Sequence, residues 1–152
     1  MLRIYSGLLL SALLCLWSNL VIAEKPLAPE TVDGAQTIDT TKAKTLFEQG
    51  VPFIDVRKQH DYDIGHIPGA YHLPLASEFT EGKLATIVSK ANPVVIYCNG
   101  IYCMGSSKAT QQAVEWGWMN VYYYRDGMPD WELNNFPVNT LVPETELDIV
   151  LD

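Results

Sequence analysis

The chain has 152 residues, of which 48% are hydrophobic and 18% are charged, and its formal net charge is −8. This length and apolar fraction fit one globular domain with a core of its own. The acidic surplus excludes nucleic acid and anionic lipid as natural partners, because both would be repelled, and it leaves small molecules or another protein.

The first 23 residues have the pattern of a secretory signal. Arg3 is followed by the apolar stretch Leu8–Trp17, and Val21–Ala23 ends in a small residue before Glu24. A short basic region, an apolar region and a small-residue cleavage site together predict that residues 1–23 are removed during export. We therefore expect a periplasmic protein with no stable membrane insertion after cleavage.

Export also decides which cysteines matter. Cys15 would leave with the signal, so that Cys98 and Cys103 remain in the mature chain. Outside the cytosol such thiols can oxidise, so a disulfide between them is open at this point.

After the signal, short apolar runs alternate with segments of helical period. Residues 24–35 contain prolines and a glycine and are predicted to be a leader. The predicted strands are Gln36–Ile38, Pro52–Val56, Ala70–Leu73, Val94–Tyr97 and Val121–Tyr124. The predicted helices are one capped by Asp39, Thr40 or Thr41 that runs to about Gln49, then Asp61–Gly65, Glu78–Lys90, Ser106–Trp116 and Asp130–Asn134.

The strand pattern indicates the fold class. Each predicted strand is an apolar run rather than an alternation of polar and apolar residues, which is typical of a parallel sheet covered on both faces. We therefore expect a single α/β domain over residues 36–138. The acidic residues 139–152 follow as a tail without a clear period.

Cys98 is the candidate nucleophile. It follows the predicted strand Val94–Tyr97 directly and precedes the loop Asn99–Gly105, after which a helix is predicted from Ser106. Ligands of parallel sheets bind at the carboxyl ends of strands, and a helix N-terminus there favours a thiolate. We expect an ionised sulfur that is reachable at the rim of the sheet, although a buried apolar cysteine or half of a disulfide would give the same local pattern.

Three segments at consistent spacing resemble the signatures of the rhodanese family. The first, Asp55–Pro74, contains Asp-Val-Arg and Gly-His-Ile-Pro-Gly-Ala. The second is Pro93–Cys98 with its loop and Ser106–Ala109, and the third lies within Gly117–Trp131. The resemblance covers about residues 36–138.

The resemblance implies a five-stranded parallel sheet with helices on both faces and a sulfurtransferase activity. In this family the loop cysteine, here Cys98, takes a sulfane sulfur from a donor such as thiosulfate, forms a persulfide, and passes the sulfur to a thiol or to cyanide. No metal or organic cofactor is implied. The expected substrate-binding loop consists of Asn99, Gly100, Ile101, Tyr102, Cys103, Met104, Gly105, Ser106 and Lys108.

The loop departs from the family pattern in its charge. Family loops usually carry an arginine before the helix serine, whereas here Met104 and its neighbours are uncharged and Lys108 is the first cation. A dianionic donor would have no guanidinium to hold it, which makes thiosulfate a doubtful natural donor. Phosphatases and arsenate reductases of this fold need the same arginine, so their chemistry is disfavoured.

Two other functions stay open. Cys103 lies five positions after Cys98 and could resolve a persulfide, close a redox-active disulfide in a thiol oxidoreductase, or be the nucleophile itself; Cys98 is favoured because it follows a strand end. Alternatively, the domain is a non-catalytic module whose uncharged loop docks a secreted protein.

Polar residues outside the loop are interpreted as structural. Asp55 and Arg57 are expected to hold neighbouring loops, and His66, among turn residues, to brace one. His60, His66 and His72 lack the close spacing of metal ligands, so no metal site is expected.

Overall fold

The computed structural model of the protein describes residues 25–142. The predicted signal, residues 1–23, and most of the acidic tail, residues 143–152, lie outside the described residues. In the part that is described, strands and helices alternate along the chain.

The strands form one parallel sheet in the order β1-β5-β4-β2-β3. The strands are β1 (Gln36–Ile38), β2 (Phe53–Asp55), β3 (Tyr71–His72), β4 (Val94–Tyr97) and β5 (Val121–Tyr124). The helices are α1 (Thr40–Glu48), α2 (Gln59–Ile64), α3 (Glu81–Ile87), α4 (Met104–Glu115) and α5 (Gly127–Leu133). The predicted five-stranded parallel α/β fold is confirmed.

Helices cover the sheet on both faces, as the apolar strands require. On one face, α3 and α4 pack through Leu84, Ala109 and Ala113. On the other face, α1 and α5 pack through residues that include Leu46 and Trp131. Because successive side chains of a strand point to opposite faces, Cys98 belongs to the α3 and α4 face, where it joins the apolar core.

Three helices begin earlier than predicted, and α2 is one of them, with its start at Gln59 rather than Asp61. The turn closed by the Cys103 N–H on the Gly100 carbonyl, at 2.9 Å, directs the chain into α4 at Met104 rather than at Ser106. Ser106 is therefore buried inside the first turn and does not cap it. Helix α5 begins at Gly127 rather than at Asp130, and its early proline is compatible with a first turn.

Helix α3 is shorter than predicted at both ends. The hydroxyl of Thr80 accepts a hydrogen bond from the Lys83 N–H and caps the helix, so the preceding residues stay outside it. At the other end, Val88 adopts extended backbone angles and buries its side chain in the core. The predicted range Glu78–Lys90 included residues on both sides that belong to turns.

The leader packs against the domain beside the cysteine loop. The Ala28 side chain is buried, and its N–H donates to the Ile101 carbonyl at 2.7 Å. The Arg125 guanidinium donates to the carbonyls of Ala28 and Pro29, and the Tyr123 hydroxyl donates to that of Pro29. The leader is thereby tied to the loop and to the end of β5.

The chain after α5 returns to the other side of the loop. His66 and Asn139 exchange backbone hydrogen bonds at 2.9 Å, and the Leu141 N–H donates to the Asp63 carbonyl. The first residues of the predicted tail are thus packed against α2. No helix within residues 25–142 is long and apolar enough to cross a membrane.

Candidate active site

Cys98 lies at the carboxyl end of β4, the central strand of the sheet. Its sulfur faces the first turn of α4: a β-carbon placed on Gly105 would lie 3.0 Å from the Cys98 Sγ and 3.3 Å from the Cys103 Sγ. Glycine at this position leaves room for both sulfurs. The positive end of the helix dipole at the same turn would favour their thiolate forms once they are reduced.

The two cysteines are joined by a disulfide bond, with their Cα atoms 6.3 Å apart. Cys103 is the N-cap residue of α4 and is partly exposed, whereas Cys98 is only 3% exposed. The expectation of an ionised and reachable Cys98 is therefore not met in this oxidised form, because the bond to Cys103 occupies its sulfur and the core covers it. The pairing that the sequence left open is present.

The loop between the cysteines is fixed by its backbone. The Met128 N–H donates to the Cys98 carbonyl at 3.0 Å, and the leader holds the Ile101 carbonyl. The Cys103 N–H donates to the Gly100 carbonyl, so this amide is not available to stabilise charge on the Cys98 sulfur. The anchored backbone keeps the two cysteines close to one another.

Gly127 allows α5 to touch this backbone. A β-carbon there would overlap the Cys98 carbonyl oxygen and lie 2.8 Å from the Gly100 nitrogen. In the sequence, Gly127 lies within the third segment that resembles the family, Gly117–Trp131. Its positive φ of 60° and its contact with the loop depend on how α5 packs, which no local pattern reports.

Arg57 and Asp55 form a buried ion pair beside the loop. The Arg57 Nε and Nη2 donate to the Asp55 carboxylate at 2.6–3.0 Å, and Nη2 also donates to the Gly65 carbonyl. Burial acts to lower the pKa of Arg57, but the hydrogen bond and charge of Asp55 prevail and raise it. The guanidinium is thus held as a charged brace between neighbouring loops.

Asn99 connects the cysteine loop to this brace. Its side-chain oxygen accepts from the Arg57 Nη1 at 3.3 Å, and its side-chain nitrogen donates to Asp61 at 2.9 Å. No local pattern indicates the contact with Asp61, because the two residues are 38 positions apart. Asn99 therefore links the loop to α2.

The histidines lie in the structure that supports the loop. His66 is buried, its Nδ1 lies 2.9 Å from the Tyr62 carbonyl, and its ring stacks on that of Tyr62. His72 Nε2 lies 3.1 Å from the Arg57 carbonyl. Within residues 25–142, no group of three or more His, Cys, Asp and Glu side chains is arranged to hold a metal ion.

Lys108 lies on the side of α4 that faces the leader. It is exposed on α4 and, with Thr31 and Asp33 of the leader, lines a separate cavity of about 590 Å³. Met104, the first residue of α4, also borders that cavity. Lys108, the first cation after Cys98 in the sequence, therefore faces the leader.

Two cavities flank the loop on its α5 side. One, of about 350 Å³, is lined by residues 99–102 together with Asp126, Pro129, Asp130 and Leu133 of the β5–α5 region. The other, of about 180 Å³, is lined by residues that include Arg57, Asp61, Asn99 and Glu132. Neither cavity is lined by a cysteine, and carboxylates line both. The one cation in these linings, Arg57, is already paired with Asp55.

The protein is therefore an α/β protein with a cysteine loop. A cysteine ends the central parallel strand, and a short loop and a helix N-terminus follow it. The model of the Rhodanese-like domain family matches residues 39–134. The protein belongs to the rhodanese family, as the resemblance implied.

The proteins that this chain resembles in sequence differ in the functions that their names state. The chain is 34% identical over 131 residues to the HTH-type transcriptional regulator Rv0324 of Mycobacterium tuberculosis, covering 81% of this chain but 56% of the regulator. It thus spans about half the length of that relative. It is 26% identical over 115 residues to thiosulfate sulfurtransferase 18 of Arabidopsis thaliana, covering 68% of this chain and 83% of that protein.

Solved structures share the fold. The crystal structure of the BH2092 protein from Bacillus halodurans superposes with a TM-score of 0.62 at 21% identity, covering 75% of this chain and 89% of that one. At this level of identity the similarity establishes the architecture alone.

Proposed function

We propose that this protein is an exported sulfurtransferase that carries sulfane sulfur as a persulfide on Cys98. The observation that carries the proposal is the position of Cys98, at the carboxyl end of the central strand with its sulfur against the first turn of α4. Membership of the rhodanese family and the sulfurtransferases among its relatives support it.

In the reduced protein, the Cys98 thiolate attacks the sulfane sulfur of the donor. The donor's bond to that sulfur breaks, its remainder leaves with the electron pair, and the sulfane sulfur stays on Cys98 as a persulfide anion. A thiol or cyanide then attacks the outer sulfur and regenerates the Cys98 thiolate. Amides of the loop that are not already bonded, together with the α4 dipole, would stabilise the persulfide charge.

The charge around the loop favours a weakly charged donor. Asp126, Asp130 and Glu132 line the adjacent cavities, while Arg57 is neutralised by Asp55. Since the guanidinium that lines these cavities is already paired, a dianion such as thiosulfate would meet repulsion there. We therefore expect a monoanionic sulfane donor, such as an aryl thiosulfonate, to react faster than thiosulfate.

Intact-mass spectrometry tests the proposal. The protein is reduced, freed of reductant and incubated with an aryl thiosulfonate, whose other product is a sulfinate. We expect the Cys103→Ser variant to gain one sulfur atom and the Cys98→Ser variant to gain none. A sulfur adduct that is lost only in Cys103→Ser would assign the nucleophile to Cys103, and no adduct in either variant would refute a sulfurtransferase.

A non-catalytic module is the second candidate. It is supported by the relative that matches 81% of this chain and is named a transcriptional regulator rather than an enzyme. For this chain, such a role would have the loop dock a secreted protein partner. It predicts that neither cysteine variant accepts sulfur from the thiosulfonate, so the same experiment distinguishes the two functions.

Export is proposed on the pattern of residues 1–23 alone. N-terminal sequencing of the protein recovered from cells tests it, with Glu24 expected as the first residue. A sequence that begins at Met1 would contradict cleavage.

A further inference from the structure

We propose that Cys103 resolves the Cys98 persulfide within the chain, so that the protein reduces sulfane sulfur to sulfide and keeps the oxidising equivalents as the Cys98–Cys103 disulfide. The inference rests on the proposed function, because it requires the persulfide. It goes beyond that function because the sulfur leaves as free sulfide and not on an external acceptor.

The geometry around the two sulfurs supports an intramolecular reaction. Both sulfurs lie against Gly105, and they are bonded to one another with the ordered loop and α4 in place. Cys103, as the N-cap residue of α4, is at the helix end that favours a thiolate. A persulfide on Cys98 would therefore place its inner sulfur next to a second nucleophile.

The backbone limits how far the two cysteines can separate. Cys98 is held through its carbonyl by Met128, and Cys103 is held through its N–H by Gly100. In between, the leader holds Ile101. Groups held at such short range react with an effective concentration far above that of any dissolved thiol, so Cys103 should outcompete external acceptors.

The resolving step balances in atoms and electrons. The Cys98 persulfide anion takes up a proton from water. The Cys103 thiolate then attacks its inner sulfur, the bond between that sulfur and the outer sulfur breaks, and the outer sulfur leaves as HS⁻ with the bonding pair. The new bond is the Cys98–Cys103 disulfide. The two cysteine sulfurs have together lost two electrons, which reduce the sulfane sulfur to sulfide.

A dithiol must then restore the reduced protein, and the structure indicates where it attacks. Cys98 is 3% exposed, whereas Cys103 is partly exposed at the start of α4. A thiolate of the dithiol therefore attacks Cys103, which forms a mixed disulfide and releases the Cys98 thiolate. The second thiol of the dithiol displaces Cys103, and the dithiol leaves as its own disulfide.

A single-turnover experiment tests the inference. Reduced wild-type protein, freed of reductant, is mixed with an aryl thiosulfonate, and sulfide, sulfinate and intact mass are followed. We expect one sulfide and one sulfinate per protein molecule and a final mass two hydrogens below the reduced form. Cys103→Ser is expected to release sulfinate, retain one added sulfur and release no sulfide, and Cys103→Ala should behave in the same way.

The outcomes separate this inference from the proposed function. A wild-type protein that keeps its added sulfur and releases no sulfide would overturn the resolving role while leaving the sulfurtransferase intact. Absence of any sulfur adduct in both Cys103→Ser and Cys98→Ser, with the fold checked by circular dichroism, would overturn both, whereas an adduct in Cys98→Ser alone would move the nucleophile to Cys103 and overturn the resolving role. Peptide mapping after treatment of the disulfide form with glutathione tests the reset: a mixed disulfide is expected on Cys103, and one on Cys98 would refute the proposed order.

Discussion

Gly127 shows how a single residue controls the geometry of the cysteine loop. Its φ of 60° lies in the left-handed region, and its missing β-carbon lets α5 begin against the Cys98 carbonyl. Gly50 has a similar φ of 75° but has no neighbouring atom within 4 Å of the position that a β-carbon would take. Both glycines therefore have a positive φ, but only Gly127 has atoms packed where a β-carbon would lie.

We therefore expect Gly127→Ala to be more harmful than Gly50→Ala. Gly50→Ala should lower the free energy of unfolding by about 1–2 kcal/mol through backbone strain alone. Gly127→Ala should add a steric cost of about 1–3 kcal/mol and should slow persulfide formation by displacing the loop. Urea denaturation and the thiosulfonate reaction measure both effects, and equal losses of stability in the two variants would contradict this explanation.

The sequence could predict Cys98 as the candidate residue but could not predict its bonding state. A strand followed by a loop and a helix is a local pattern, so the position of Cys98 at a strand end was recognisable. The disulfide depends on where the loop carries Cys103, and this follows from the early start of α4 and from contacts with α5 and the leader. The role of Arg57 in holding neighbouring loops was predicted from the sequence. Its connection through Asn99 to Asp61 depends on the tertiary structure.

At the scale of elements, the leader contacts the loop between the two cysteines. The Arg125 guanidinium holds it with hydrogen bonds of 2.9–3.2 Å to the carbonyls of Ala28 and Pro29. The Ala28 N–H in turn holds the loop at Ile101. The leader thus connects the end of β5 to the segment between the two cysteines.

Replacing Arg125 should loosen this connection. In Arg125→Gln the charged hydrogen bonds are lost, and amide exchange at Ala28 should become about tenfold faster or more, since such bonds contribute about 1.5–3 kcal/mol. Hydrogen exchange followed by mass spectrometry measures the leader peptide. Lys42→Gln, at an exposed position on α1, is the matched control. Unchanged exchange in Arg125→Gln would show that other contacts hold the leader.

The ends of the helices were predicted less well from the sequence than the ends of the strands. The strands β1, β4 and β5 have the predicted bounds. Helix α4 begins at Met104 because of a backbone turn at Gly100, and a cysteine rather than a serine occupies its N-cap. Boundaries set by backbone hydrogen bonds leave little trace in residue types.

For the molecule as a whole, acidic groups converge at the carboxyl edge of the sheet. Asp126 follows β5, and Asp39 and Asp130 contribute to its electrostatic environment. Burial and the charge of Asp130 raise the pKa of Asp126, Arg125 opposes the shift, and Asp39 adds to it. The folded state therefore binds the Asp126 proton more tightly than the unfolded chain does.

This linkage gives a direction for the pH dependence of stability. Protonated Asp126 favours folding at pH values below the ordinary pKa of a carboxyl group. This contribution to stability is lost as the pH rises through the raised pKa of Asp126 in the folded state. We expect Asp126→Asn to have a higher melting temperature than the wild type at about pH 7, with the difference shrinking towards about pH 4. Asp33→Asn, at an exposed position on the leader, controls for the loss of one negative charge. The same pH profile in both variants would exclude a specific role of Asp126.

The overall architecture was predictable because it follows from strand composition. Uninterrupted apolar runs such as Val94–Tyr97 require cover on both faces, and the intervening helical segments provide it. The sheet order and the approach of the leader to Ile101 were not predictable from such patterns, since they depend on contacts between distant parts of the chain.

The packing of the leader brings the start of the described chain close to the cysteine loop. Lys25 lies beside the loop, with its Nζ 5.8 Å from the centre of the Tyr102 ring. Any purification tag, resin or fusion joined just ahead of that residue would crowd the approach that we propose for sulfur donors and dithiols. Turnover measured on such preparations will report the attachment as well as the chemistry, so handles are better placed elsewhere.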